Sequence, residues 1–276
     1  MGLAGKLREL RTRRSGDLTR PLGEPFLAPL RGARALELGG PSAPFGTGGV
    51  LPAYALCASV DDLQYAEDTV WHGRQAAGRY APEGRDLGAM HIADAGELAG
   101  LPDGTYDVVL HSHVIEHLAN PLRALARWRE VLRPGGHLVM VVPHKDGTFD
   151  HRRPVTSLAH LEADLAAGTG EDDLTHLEET LLLHDRSRDA EPGDPEAFAA
   201  ARRDNLRTRL LHHHVFTTPS LLRLLDRARA QIDAVEPRLA HDIFVAGHFR
   251  ADGGRPDNAA VLGPLAGSPF RSDRRA

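Results

Sequence analysis

The sequence predicts an α/β fold, in which helices cover both faces of a mostly parallel sheet and a mainly helical cap is inserted. Three observations support this prediction. Short apolar runs alternate with helix-prone stretches, as they do in parallel sheets. The strand-like run Ala35–Leu38 ends on Gly39 and Gly40, a turn that lets a ligand approach the backbone. The alternation stops after Pro143 and resumes near His214.

Composition limits the classes of protein that are possible. A chain of 276 residues with 41% hydrophobic residues can bury a sizeable core in one large or two small domains. Its formal charge of −5 argues against nucleic-acid binding, which usually needs a basic face. The single cysteine, Cys57, excludes a disulfide framework. Without an apolar run of about 18 residues or a signal peptide, we expect a cytoplasmic protein that has no membrane partner.

The elements of the first half follow in order. Leucines at helical spacing in the basic stretch Met1–Arg20 predict a short helix within an N-terminal lid or extension, 1–26. The glycines and prolines of Pro41–Pro52 exclude a full crossover helix between the first two strands. Asn120 and Pro121 are typical of a helix start. The predicted elements are strands at Ala35–Leu38, Ala53–Val60, Ala89–Ile92, Tyr106–His111 and His137–Val142, and helices at Leu63–Arg79 and Asn120–Arg133.

The second half divides into an insertion, the remainder of the core and a tail. Residues 144–211 are charged and helix-prone in pieces, and we interpret them as an inserted substrate cap. The Gly-, Pro- and charge-rich composition of residues 251–276 predicts a mobile tail. The core is expected to comprise 27–143 and 212–250, the second part with a helix at Pro219–Arg229 and strands at Ile232–Val235 and Ile243–Phe249.

An acidic pair follows the glycine turn at a spacing typical of nucleotide-type ligands. Asp61 and Asp62 lie about 20 residues after the turn, where the second predicted strand ends. A carboxylate at this position can accept hydrogen bonds from ribose hydroxyls. The glycine turn and the spaced acid together predict a ligand that contains a nucleoside.

With these elements placed, the chain resembles the class I S-adenosylmethionine-dependent methyltransferases, and among them the methyltransferase type 11 group. The resemblance is strong over Leu27–Val142 and weak over His214–Phe249. It implies a Rossmann-like methyltransferase fold that binds S-adenosylmethionine. Pro41 departs from the family, which often has a small residue there. The motifs that carry the resemblance are Leu-Glu-Leu-Gly-Gly at Leu36–Gly40, Val-Asp-Asp at Val60–Asp62, Ile-Ala-Asp-Ala at Ile92–Ala95, the stretch Tyr106–His117 and Leu-Arg-Pro-Gly-Gly at Leu132–Gly136.

The resemblance also implies roles for residues near the predicted strand ends. Gly39 and Gly40 would lie against the methionine part of the cofactor, and Glu37 would help to hold this loop and the amino group. Asp61 or Asp62 would bind the ribose. The remaining cofactor-binding assignments are Asp94 for the adenine amine, Ala95 for the edge of its ring, and His111, Ser112 and His113 for the side that faces the sulfonium.

Half of the sixteen histidines lie in or beside the insertion, and many of them have acidic neighbours. They are His144, His151, His160, His176, His184, His212, His213 and His214. One interpretation is catalytic, because the sulfonium donor is already activated and the protein must align the acceptor and take up a proton. Histidine suits that task near neutral pH. We hypothesise that His151 with Asp150 is the preferred pair, with His144 or His213 as alternative general bases.

Two other interpretations stay open. The cluster could be a solvated or salt-bridged structural face, as charge-rich segments usually are. Arg152 and Arg153 could clamp a carboxylate or phosphate of the acceptor, or pair with nearby acids. A divalent metal could instead be held by His176 and Glu179, three apart on one helical face, with His151, His184 or His213.

The expected reaction is methyl transfer from S-adenosylmethionine to an oxygen or nitrogen of a small polar acceptor, such as a sugar-derived or amino-acid-like intermediate of natural product biosynthesis. No Asn-Pro-Pro-Tyr or Asp-Pro-Pro-Tyr signature follows the fourth strand, so we expect no nucleic-acid acceptor. The alternatives are a non-catalytic partner protein with this fold, or metal-assisted chemistry at the histidine and acid cluster. The sequence predicts no particular oligomeric state.

Overall fold

The computed structural model describes residues 20–75, 77–189, 193–263 and 265–274, so the predicted helix in Met1–Arg20 lies outside them except for its last residue. Within the described ranges ten strands follow one another. They are β1 (Arg34–Leu38), β2 (Ser59–Gln64), β3 (Asp68–Thr69), β4 (Gly73–Arg74), β5 (Gly78–Tyr80), β6 (Gly88–Ile92), β7 (Tyr106–Ser112), β8 (Leu132–Pro143), β9 (Gln231–Arg238) and β10 (Asp242–His248).

Eight of these strands form one sheet in the order β5-β6-β2-β1-β7-β8-β10-β9, and β3 pairs with β4 in a separate hairpin. The five strands from β6 to β8 run parallel to one another. The flanking strands β5, β10 and β9 pair antiparallel. The strand order reverses at β1, which lies between β2 and β7, and ligands of such sheets bind beyond the carboxyl ends at this point. The predicted Rossmann-like α/β fold is confirmed.

Residues of the central strands alternate between two cores, one on each face of the sheet. Leu36 and Val109 pack on the same side as Trp128 of the following helix. Ala35 and Val108, one residue earlier in each strand, belong to the core on the opposite face. Neighbouring side chains on a strand point to opposite faces. A strand that is apolar on both faces is therefore buried between two layers, as the run of apolar residues predicts.

Helices cover both faces of the sheet, and four of those that the structure describes lie in the insertion. Asn120 accepts a hydrogen bond from the backbone N–H of Arg123 and so caps the helix that Pro121 begins, as predicted. None of the helices in the described ranges has the length and apolar character that crossing a bilayer requires. The helices are α1 (Glu24–Leu27), α2 (Ala53–Leu56), α3 (Pro121–Val131), α4 (Leu158–Ala167), α5 (Leu177–Leu183), α6 (Pro195–Arg203), α7 (Asn205–Thr208) and α8 (Thr218–Arg227).

The second strand lies later in the chain than predicted. The residues predicted as its beginning form α2, and β2 pairs with β1 in a register that places Glu37 beside Asp62. Both acids of the Val-Asp-Asp motif are therefore inside the strand, where each finds hydrogen-bond donors. The helix predicted over Leu63–Arg79 is also wrong, since the β3–β4 hairpin lies there and Trp71 is half exposed.

The predicted mobile tail, residues 251–276, is wrong for the part that the structure describes. Asp273 is fully buried and accepts hydrogen bonds from His144 Nε2 at 2.8 Å and from the Thr218 backbone N–H at 2.9 Å. Phe270 stacks on His144 with the ring centres 3.8 Å apart. A few polar residues thus bind the segment to the core, although its composition is typical of a disordered segment.

Candidate functional site

A cavity of about 560 Å³ opens at the carboxyl ends of the parallel strands. Each of the five parallel strands contributes a residue at its end or just after it: Gly39 after β1, Gln64 at the end of β2, Asp94 after β6, Ser112 at the end of β7 and Pro143 at the end of β8. The cavity therefore lies where the strand order reverses, the place at which open α/β sheets bind their ligands.

The turn after β1 is packed so tightly that only glycine fits. Gly39 has a φ of +73°, and a Cβ built on it would lie 3.2 Å from the Val114 side chain. A Cβ on Gly40 would lie 2.5 Å from the side chain of Glu37. The Gly40 N–H donates to Asp62 Oδ1 at 2.8 Å, which fixes the turn to the neighbouring strand. Gly39 lines the cavity, as predicted, and Gly40 lies behind it.

Glu37 supports this turn from inside the protein and does not line the cavity. Its carboxylate accepts hydrogen bonds from Tyr54 and Tyr80, each at 2.8 Å, and from the Ser42 backbone N–H at 3.0 Å. Burial, together with the nearby charge of Asp62, raises the pKa of Glu37 to about 7. The predicted role in holding the loop fits this geometry, whereas the predicted contact with the cofactor's amino group does not.

Neither acid predicted to bind ribose lines the cavity. Asp61 accepts hydrogen bonds from the Tyr106 hydroxyl at 3.0 Å and from the Ala89 backbone N–H at 2.8 Å. Asp62 accepts one from Gln64 Nε2 at 2.8 Å, and burial raises its pKa to about 6. Since β2 continues to Gln64, this amide stands at the strand end where an acid was expected. The correction follows from strand register, which sequence spacing does not fix.

Asp94 and Ala95 both line the cavity, as predicted. Asp94 Oδ1 accepts a hydrogen bond from the Gly96 N–H at 2.7 Å, and its Oδ2 pairs with Arg209 at 2.8 Å. Arg209 comes from the insertion and pairs with Glu171 as well, at 2.6 Å. This ion-pair group, which sequence reasoning missed, fastens the insertion to the rim of the cavity.

The three residues predicted at the end of β7 divide between the core and the cavity. His111 is fully buried with its ring 5.2 Å from that of Trp128, and burial lowers its pKa to about 3. It cannot face a ligand. Ser112 and His113 do line the cavity. The difference follows from where the strand ends: His111 lies inside β7, whereas Ser112 is its last residue and His113 follows it with a positive φ.

His113 forms the histidine–carboxylate pair at the cavity wall. Its Nε2 lies 3.0 Å from Asp242 Oδ1, and the ring of His241 packs edge-on at 5.5 Å. Burial opposes protonation of His113, but the hydrogen bond with Asp242 and the charge of Glu116 outweigh it and raise the pKa. The backbone of His113 has a φ of +55°, a conformation in which Asn, Asp and His are the enriched residues after glycine.

Glu116 is a site residue to which sequence reasoning gave no role. It lines the cavity, is 1% exposed, and neither of its carboxylate oxygens has a hydrogen-bond partner in the described ranges. Burial raises its pKa. His117 Nε2 lies 3.8 Å away, and the candidate ligand atoms of Glu116, His117 and His212 all lie within 4.8 Å of one another. The only signal in the sequence is its position inside the Tyr106–His117 motif.

The preferred catalytic pair is not formed. His151 Nε2 pairs with Asp185 at 2.8 Å, whereas Asp150 pairs with His212 at 2.6 Å and with Arg153 at 3.1 Å. Sequence neighbours diverge because Phe149–Arg152 forms a 3₁₀ turn, in which successive side chains point in different directions.

The two alternative bases are also away from the cavity. His144 is fully buried against Phe270, and His213 is buried beside Asn205 at 3.2 Å. Burial lowers the pKa of His213 to about 4. Neither residue lines the cavity, and nor do Asp150 and His151. His212, which directly precedes His213 in the chain, does line the cavity.

The predicted metal set and the predicted arginine clamp are likewise separated. Glu179 accepts a hydrogen bond from Arg153 at 2.7 Å, and His184 pairs with Asp189 at 2.8 Å. Arg152 pairs with Asp185 at 3.0 Å. For these side chains the interpretation as a salt-bridged structural face is the one that the geometry supports.

Comparison with known proteins finds similarity in a segment that contributes part of the cavity lining. Residues 44–140 match the family described as "Methyltransferase domain". An uncharacterized 37.1 kDa protein of a Streptomyces fradiae transposon is 34% identical over 122 residues, which cover 44% of this chain and 33% of that protein. The ubiquinone biosynthesis O-methyltransferase of Cereibacter sphaeroides is 33% identical over 129 residues, which cover 45% of this chain and 44% of that enzyme. The chain thus matches less than half the length of these relatives.

Among solved structures, an S-adenosylmethionine-dependent methyltransferase from Mesorhizobium loti is similar to this chain. The TM-score is 0.45 and the sequence identity is 16%, and the alignment covers 81% of this chain and 94% of the other.

Proposed function

We propose that this chain is a class I S-adenosylmethionine-dependent methyltransferase that transfers the methyl group to an oxygen or nitrogen of a small polar acceptor. The match of residues 44–140 to the methyltransferase domain family supports this proposal. The observation that carries the proposal is the cavity, to which all five parallel strands bring a residue. The family match over residues 44–140 includes three of those strand ends, which belong to β2, β6 and β7.

The cavity wall fits S-adenosylmethionine. Gly39 leaves room for the methionine part, and a Cβ there would press against Val114. Gln64 presents an amide at the end of β2, where a ribose would lie, and Asp94 and Ala95 stand after β6, where an adenine would lie. When bound, the cofactor supplies a methyl group on a sulfonium that is already activated. The residues of the chain then have to orient the acceptor, exclude water and take up a proton.

The opposite side of the cavity suits a small polar acceptor. The insertion contributes Phe149 and Arg188 to the lining, and His212 follows directly after it. The turn before β10 contributes His241 beside Asp242. We assign the general base to His113. Its Nε2–H donates to Asp242 Oδ1, which orients the ring and leaves the lone pair on Nδ1 to take up the proton. Glu116 lies in the same wall with unpartnered carboxylate oxygens, which can accept hydrogen bonds from acceptor hydroxyl or amino groups.

The proposal is tested with the full chain, S-adenosylmethionine and a panel of small hydroxy and amino compounds. Mass spectrometry should detect S-adenosylhomocysteine and a methylated product that depends on one class of acceptor. If cofactor binds at saturation but no S-adenosylhomocysteine forms across the panel, the result would favour the non-catalytic partner instead.

The cofactor placement has its own test by calorimetry. Gln64→Leu should weaken S-adenosylmethionine binding by up to about tenfold, since losing one hydrogen bond costs about 0.5–1.5 kcal/mol. Asp61→Asn is the matched control on the same strand, because Asp61 faces Tyr106 and not the cavity. Equal affinities for the wild-type chain and Gln64→Leu would contradict the ribose placement.

A further inference from the structure

Three histidines from separate segments converge outside the cavity. His160 lies on α4, His176 immediately precedes α5, and His214 lies on the segment that returns to the core. Their candidate ligand nitrogens all lie within 4.8 Å of one another. His160 Nε2 and His176 Nε2 are 2.9 Å apart, and the three ring centres are separated by 4.9 to 5.9 Å.

The His214 ring has the tautomer of a metal ligand. Its Nε2 lies 3.3 Å from the carbonyl oxygen of Ala119, so this nitrogen carries the proton and donates it. The lone pair is then on Nδ1, which is buried and has no hydrogen-bond partner in the described ranges. The whole side chain is 1% exposed. A ring nitrogen that donates to a backbone carbonyl while the other is free is the usual outer-sphere arrangement around a metal-binding histidine.

A carboxylate lies beside the same nitrogens. Asp164 Oδ2 is 3.3 Å from His160 Nε2, is buried, and has no hydrogen-bond partner among the described residues. Its other oxygen accepts a hydrogen bond from Thr169 at 3.3 Å.

Hydrogen bonds within this group leave two buried atoms without partners. His160 and His176 can share one proton between their Nε2 atoms, but His214 Nδ1 and Asp164 Oδ2 gain nothing from that. Buried polar atoms in native proteins are seldom unpaired. A cation placed among the three nitrogens and the carboxylate would satisfy both atoms.

We propose that His160, His176 and His214 bind a divalent transition metal of the zinc class, with Asp164 as the nearest candidate for a fourth ligand. Imidazole and carboxylate ligands suit Zn²⁺, and four ligands complete a closed tetrahedral site of the structural kind. Two nitrogens bound to one tetrahedral zinc lie about 3.3 Å apart, close to the spacing found between His160 and His176.

The site would connect the insertion to the wall of the cavity. His214 donates its backbone N–H to the Glu116 carbonyl oxygen at 3.1 Å, and Glu116 lines the cavity. A metal would therefore join α4, the start of α5 and the segment of His214, which is hydrogen-bonded to Glu116. Its function is structural, because none of the three histidines lines the cavity.

The test uses the full chain, stripped with a chelator and titrated with Zn²⁺ against a competing chelator. We expect one tight site per chain, a rise in Tm on adding Zn²⁺, and a tetrahedral absorption spectrum with Co²⁺. His160→Ala should weaken Zn²⁺ binding at least about 100-fold and remove the rise in Tm. Its side chain is 40% exposed, so the variant should fold.

Two further variants decide where the metal goes. His151→Ala is the matched control, because His151 is a partly exposed histidine of the insertion that pairs with Asp185 instead. It should bind Zn²⁺ like the wild-type chain. Glu116→Gln tests the cavity, whose groups also lie within ligand distance. The proposal would be overturned if the wild-type chain bound no Zn²⁺ tightly or if His160→Ala bound Zn²⁺ as well as the wild-type chain. Loss of Zn²⁺ binding only in Glu116→Gln would also overturn it, because the metal would then lie in the cavity.

Discussion

At the scale of single residues, His113 and Asp242 carry the proposed proton transfer. Asn tolerates the positive φ of His113, so His113→Asn removes the imidazole with little strain. We expect turnover to fall by about 10²–10⁴ with cofactor affinity kept. His151→Asn removes the imidazole of a similar histidine–aspartate pair outside the cavity and should keep full turnover. Steady-state kinetics with an identified acceptor measure both variants. Full turnover in His113→Asn would exclude His113 as the general base.

A second residue makes stability depend on pH. Burial lowers the pKa of His111 to about 3, and the charge of His113 adds to this. The unfolded chain therefore binds more protons than the folded one between about pH 6.5 and pH 3, and stability falls as the pH falls through this window. For this single group the loss from pH 7 to pH 5 is about 2 kcal/mol.

Urea unfolding at both pH values measures this effect. His111→Phe keeps an aromatic ring beside Trp128 and removes the titrating group. Its free energy of unfolding should change less between pH 7 and pH 5 than that of the wild-type chain. An equal change in both proteins would mean that other buried histidines account for the loss.

The residues predicted to bind the cofactor show what sequence can establish at this scale. Gly39 and Asp94 lie at the cavity because each follows a strand end within two residues. Asp61 and Asp62 do not, because one shift in strand register turns a loop residue into a strand residue. Glu116 was missed because its burial depends on residues that are far away in the sequence.

At the scale of elements, the turn after β1 is the most sensitive to substitution. A Cβ on Gly40 would lie 2.5 Å from Glu37 and 2.6 Å from the Tyr80 hydroxyl, so Gly40→Ala must displace a buried hydrogen-bonded pair. We expect a loss of about 1–3 kcal/mol in stability and weaker cofactor binding. Gly48→Ala is the control, since no atom lies within 4 Å of its added Cβ. Thermal melting and calorimetry would show both effects, and equal melting of the two variants would contradict the packing argument.

Elements with local signals were predictable, and elements set by pairing were not. The helix α3 begins at a cap and a proline that the sequence shows directly. The boundaries of β2 depend on its register against β1, and the packed segment around Asp273 depends on His144 and Thr218, both distant in the chain. Local propensity contains no information about such partners.

At the scale of the whole molecule, Arg209 joins the insertion to the core. It pairs with Asp94 at 2.8 Å and with Glu171 at 2.6 Å. Arg209→Gln should lower the free energy of local opening in the insertion by about 2–3 kcal/mol, since hydrogen bonds to charged groups are lost. Arg207→Gln is the control, because the Arg207 side chain is largely exposed and pairs with the sequence neighbour Asp204.

Hydrogen exchange measured along the chain tests this connection. Exchange should become faster in the segment before His212 for Arg209→Gln and stay unchanged for Arg207→Gln. Equal exchange in both variants would mean that apolar packing alone holds the insertion. The ion pair joins residues 115 apart, which no motif in the sequence could have indicated.

The contact between His144 and Asp273 has a consequence for protein synthesis. The two residues are 129 positions apart, and both are fully buried in the finished fold. At about 5–20 residues per second, a ribosome needs roughly 6 to 26 seconds to make the chain between them. During that time the central strands can pair and β10 can cover the edge of β8, while the His144 ring still has neither Phe270 nor Asp273 against it. The nascent chain therefore leaves a side chain that is buried in the finished fold without its partners until translation has passed Asp273.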